Sequence, residues 1–181
     1  MTSWSPAFIQ LNRQRVFWAA FILSIGLMSI LNWVGAPMKT PAAPCGIISF
    51  EFARTSEKAT AMLDSWDSDA SLRAAFTLGL DYLFMPAYAA AIALACLWAG
   101  EVFRSRAMPQ SALGTSLVIG QVIAALSDAV ENIALISILL GNSATAWPQV
   151  AFFCAALKFG LILLGLMYVF WGLAIRYVIK K

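Results

Sequence analysis

Polar residues in this chain fall in blocks, and between the blocks run four long stretches that are almost free of charge. The first covers about 16–34 and carries none. The second, about 74–99, is interrupted only by Asp81, and the third, about 112–140, holds Gln121, Asp128, Glu131 and Asn132. The fourth, about 150–175, has Lys158 as its one charge. Each is as long as the ~20 residues an α-helix needs to cross a ~30 Å hydrocarbon core. The alternating segments of about ten residues that mark a membrane β-barrel are absent. The pattern predicts an all-α integral membrane protein, with four transmembrane helices in a bundle and a single domain over 1–181.

The intervening segment 35–73 predicts two kinds of structure. Pro37, Pro41 and Pro44 make its first part irregular. From about Glu51 to Trp66 the spacing becomes helical, with Phe52, Ala59, Met62, Leu63 and Trp66 available for one apolar face. This outer amphipathic loop helix is expected to lie at the interface or to cap the bundle. Trp4, Trp33, Trp66, Trp98 and Trp147 fall near predicted helix ends, where interfacial aromatics anchor.

Basic residues set the expected orientation. Arg13 and Arg15 precede the first span, Arg104 and Arg106 lie between the second and third, and Arg176, Lys180 and Lys181 follow the fourth. With these inside, both termini are cytoplasmic and the 35–73 segment faces outward. The small size and the basic-inside pattern fit a bacterial inner membrane. Val34-Gly35-Ala36 resembles a signal-cleavage site, but the apolar stretch is long for a signal and Pro37 would follow the cut, so the first span is expected to remain as an anchor. Cys45 lies well beyond that span without a lipoprotein context, which argues against lipidation.

Composition narrows the chemistry. The chain is 61% hydrophobic and 12% charged, against about 45–50% and about 25% in soluble domains. A net charge of +3, without a basic stripe or phosphate loop, excludes a nucleic-acid partner. There is no histidine, which removes the commonest haem, zinc and copper ligand and the usual general base. Cys45, Cys96 and Cys154 are scattered without a Cys-x-x-Cys pair. Asp81, Asp128 and Glu131 are too few ligands for a carboxylate-bridged metal centre. No metal and no cofactor is expected; acid–base chemistry between carboxyls stays open.

The charges inside the spans are the candidate site. A charge near the bilayer centre costs roughly 2.5–3.5 kcal/mol on insertion scales, so such groups pair or serve a function. Asp128, Glu131 and Asn132 stand at i, i+3 and i+4 and share a helix face, which Gln121 continues. At ~1.5 Å per residue, Asp81, Glu131, Lys158 and Asp128 lie about 7, 13, 16 and 18 Å below the outer surface. Three helices thus bring charge to the outer half of the membrane. Tyr88 follows Asp81 and Met85 on one side; Leu161 and Gly165 follow Lys158; Ala87, Ala90, Ala91, Gly160 and Gly165 suit close packing. Three acids against one lysine leave an excess of negative charge that a low dielectric does not tolerate. Protonation of an acid, Arg54 folding in with Glu51 as an outer cap, or a bound cation or amine would each relieve it.

The four-helix plan with intramembrane acids is similar in outline to the EXPERA family of sterol isomerases and lipid-binding receptors. The likeness covers helix count and acid placement, and the absent histidine departs from the catalytic members. Three functions are expected from these residues. The first is a pocket for a lipid-like or small amphiphilic ligand, its head at Asp128, Glu131, Asn132 and Lys158 and its tail against Phe153 and Leu161. The second is an assembly subunit, homo-oligomeric or bound to another membrane protein, with the charges as glue. The third is a proton or ion route through Asp128 and Gln121.

Overall fold

The computed structural model describes residues 6–142 and 144–178; Trp4, Lys180 and Lys181, invoked above for anchoring and orientation, lie outside the described residues. The described chain is helical, with no strand. Six α-helices follow in order: α1 (Pro6–Val34), α2 (Ile47–Glu51), α3 (Ser56–Asp64), α4 (Ser68–Ser105), α5 (Leu113–Leu139) and α6 (Ala146–Val178). Short 3-10 turns at Ala36–Met38 and Pro109–Ala112 join α1 to the outer segment and α4 to α5. Four helices, α1, α4, α5 and α6, are long and apolar enough to cross a membrane.

Helix α4 outruns its apolar stretch because a polar cap starts it early. Asp67 accepts a 2.8 Å bond from the Ala70 amide, so α4 begins two turns before its apolar run. At the other end of the hairpin, α5 stops at Gly141, whose φ of +83° lets its amide reach the Ile138 carbonyl and that of Asn142 reach Ser137.

The outer segment departs from the expected single helix. Arg54 takes a left-handed φ of +63°, and Thr55 then caps α3 through the Lys58 amide. The break turns the two short helices independently. Glu51 and Phe50 of α2 go inward, as do Ala59 and, in part, Met62 and Leu63 of α3. Phe52, placed at the junction, stays exposed against the rings of Phe152 and Phe159. Trp66 is not interfacial: it is 6% exposed and donates a 2.9 Å bond to the Met38 carbonyl. The segment therefore belongs to the core, packed with Ala74 of α4, Leu135 of α5 and Ala151 of α6.

Among the long helices, α5 lies between α4 and α6, and α4 touches all three others, whereas α1 packs mainly on α4. Small residues let α4, α5 and α6 approach closely: a Cβ on Gly172 would stand 2.7 Å from that of Ala99, and one on Gly114 3.1 Å from the Cys96 carbonyl. Gly165 and Ala91 serve the same packing, but Gly160 faces open space and does not. Helix α1 remains apolar and exposed nearly all round, with Trp18, Ile22, Leu23 and Ile25 each more than half exposed. Such a surface suits lipid, not water. At its start, Arg13 pairs with Glu101 of α4 at 2.7 Å.

Candidate functional site

The 3.6-residue period of α5 puts Gln121, Asp128, Glu131 and Asn132 on its inward face, and all four are at most 2% exposed. Lys158 arrives from α6, also buried. Its ammonium lies 2.9 Å from Asp128 Oδ1 and donates at 3.0 Å to Glu131 Oε1. Glu131 Oε2 is as near, at 2.9 Å, but outside hydrogen-bond geometry, so charge alone holds it. The lysine nitrogen also stands 4.7 Å from the centre of the Phe159 ring.

Helix α4 supplies the opposite wall. Tyr88 donates a 3.0 Å bond to Asp128 Oδ2, so both oxygens of that carboxylate are used. Asn132 donates both to the Leu78 carbonyl at 3.1 Å and to Asp81 Oδ2 at 2.9 Å. Asp81 is half-buried.

Glu51 is the member that sequence pattern placed too far out. Carried inward by α2, it is 8% exposed, with Oε2 3.7 Å from the Lys158 nitrogen and in no hydrogen bond. Burial pushes its carboxyl above the ordinary 4.5, against the pull of the Lys158 ammonium. Arg54 does not join it. The guanidinium stays exposed, 5.3 Å over the Phe152 ring, because the left-handed turn at Arg54 sends the two side chains apart. Four carboxyl groups, from Glu51, Asp81, Asp128 and Glu131, thus gather round one ammonium.

Gln121 is not part of this cluster. Seven residues before Asp128, it is about 10 Å away along the helix. Its amide instead donates to the Leu161 carbonyl at 3.0 Å, tying α5 to α6.

The polar cluster lines part of a cavity of about 460 Å³. Asp81, Asp128, Asn132, Lys158, Tyr88 and Glu51 are on its lining, and Glu131 is not. The rest of the lining is mostly apolar, with Phe84 and Ile92 of α4, and Phe159, Ile162 and Leu166 of α6. Phe153 is not among them; it points outward, 63% exposed. Leu161 also lies off the cavity and engages Gln121 through its carbonyl.

The third wall is α1, through Phe21, Ser24, Ile25, Met28 and Asn32. Sequence reasoning treated this helix as a plain anchor. Its signal was a stripe at i, i+3, i+4, i+7 and i+11 from Phe21 that carries Ser24 and Asn32 among apolar residues. Both satisfy their polar groups on their own helix, at Ala20 and Met28. Ile25 and Met28 line the cavity and stay about half exposed. Met38, Ile47 and Ile48, from the segment between α1 and α3, complete the lining.

Comparison with known proteins finds no family model that matches the chain, no similar curated protein and no similar solved structure. The outline likeness to the EXPERA family therefore rests on helix count and acid placement alone.

Proposed function

We propose that this chain is an integral membrane protein of the bacterial inner membrane, with both termini cytoplasmic, whose four long helices form a bundle around a binding site for a lipid-like or small amphiphilic molecule. The observation that carries the reading is the cavity of about 460 Å³, whose mostly apolar lining includes the buried charges of Asp128, Lys158 and Glu51. That is the usual make-up of a small-molecule site: mostly apolar walls and a few placed polar groups. The tail lies between α1 and α6 against Met28, Phe159 and Ile162, and the head meets Asp81, Asn132, Tyr88 and Asp128. Entry is lateral, along α1, where Ile25 and Met28 line the cavity and stay about half exposed. The buried pairs of Lys158 with Asp128 and Glu131 hold α5 to α6 and shape the floor of the site, which is the glue function in a supporting role.

The test is to fill the cavity. Ser24→Phe puts a ring at a buried position of α1 that lines the cavity. The variant is expected to keep the wild-type unfolding temperature and to lose the lipid that co-purifies with wild type, read by native mass spectrometry. Retention of the same lipid at the same occupancy would sink the reading.

A further inference from the structure

The ligand's head group follows from which polar groups of the lining are still unengaged, and this step rests on the amphiphile reading above. Lys158 offers an incoming anion nothing, because Asp128, Glu131 and Glu51 already surround its nitrogen at 2.9, 2.9 and 3.7 Å. Asp128 spends one oxygen on Lys158 and the other on Tyr88. Asp81 is different. It lines the cavity, its Oδ2 accepts from Asn132, and its Oδ1 has no hydrogen-bond partner among the described residues. Glu51 also lines the cavity, and its buried Oε2 is in no hydrogen bond, with the Lys158 ammonium 3.7 Å away. An anionic head placed here would meet three carboxyl groups on the lining, with the one other lining cation, Lys39, exposed in the outer segment. On the same helix as Asp81, the rings of Phe84 and Tyr88 lie 5.1 Å apart and both residues line the cavity, which puts aromatic side chains near the place a positive group would occupy.

We propose that the bound amphiphile carries an amine or quaternary ammonium head and that Asp81 is its counter-ion. A monocation there leaves two positive groups among four carboxyls instead of one. The tail then runs along the α1–α6 wall.

The experiment measures binding of labelled dodecylamine, dodecyltrimethylammonium, dodecanol, dodecyl sulfate and butylamine to the full-length protein in neutral maltoside micelles, with empty micelles subtracted. The two cationic dodecyl probes are expected to bind roughly tenfold or more tighter than dodecanol and dodecyl sulfate. Asp81→Asn, which keeps an acceptor for Asn132, is expected to erase that preference, whereas Asp81→Glu keeps it. Equal affinity for all dodecyl heads, or a preference for sulfate, overturns the cationic head and leaves the amphiphile reading standing. A preference that survives in Asp81→Asn overturns the counter-ion. Binding of butylamine as tight as dodecylamine, or of no probe at all, overturns the amphiphile reading itself. The wild-type ranking decides the head group even where a variant fails to fold.

Discussion

Tyr88 of α4 and Lys158 of α6 meet on the same carboxylate of α5: the phenol donates to Asp128 Oδ2 at 3.0 Å and the ammonium to Oδ1 at 2.9 Å. One side chain thereby joins three helices. Removing the phenol leaves a buried carboxylate oxygen without its donor, and a bond to a charged group is worth about 1.5–3 kcal/mol. Tyr88→Phe is expected to lower stability by about that much, measured by denaturant titration in detergent. A change indistinguishable from zero would mean that water replaces the hydroxyl.

Lys158 is the one ammonium among four carboxyls. Breaking a buried pair by removing one partner costs about 3–5 kcal/mol, because the other charge is left uncompensated. Lys158→Met is expected to fall in that range. The double variant Lys158→Met/Glu131→Gln should recover part of the loss, since the two groups touch and their effects do not add. Strict additivity in a double-mutant cycle would show that the pair does not interact.

Glu51 links the fold to pH. Its carboxyl is raised above the ordinary 4.5 in the folded chain, chiefly by burial. For a group raised on folding, the contribution to stability is full below the unfolded value and is lost as pH rises through the folded value. Stability of wild type is therefore expected to fall relative to Glu51→Gln as pH climbs from about 4.5. Parallel stability–pH curves for the two proteins would refute this.

Two glycines of α6 predict opposite outcomes. At Gly172 a new Cβ would stand 2.7 Å from the Ala99 Cβ and 3.0 Å from its Cα, so the backbones must part. Overpacking of this kind costs about 1–3 kcal/mol. Gly160 has nothing within 4 Å of the same position, and Gly160→Ala should stabilise by about 0.5–1 kcal/mol through lost chain entropy. Thermal unfolding of both variants checks the contrast.

The long helices were legible because length and apolarity alone decide them, and the inward face of α5 because Asp128, Glu131 and Asn132 repeat at helical spacing. The place of Glu51 was not. It depends on a left-handed Arg54, a conformation that glycine or asparagine announces and arginine does not. Trp66 was misplaced for a related reason: a tryptophan beside a predicted boundary reads as an anchor until the Met38 carbonyl that takes its N–H is known. The α1 wall was hidden because Ser24 and Asn32 bond within their own helix, so nothing in the spacing demanded a partner across a cavity.

The acids of α5 and the lysine of α6 sit on consecutive helices, α5 ending at Leu139 and α6 starting at Ala146. Each helix entering a bilayer alone would bear an unpaired charge at roughly 2.5–3.5 kcal/mol apiece. Entering as a closed hairpin, the two neutralise one another before either meets hydrocarbon. The ion pair of Lys158 with Asp128 and Glu131 thus favours insertion of α5 and α6 as a closed pair over insertion one at a time.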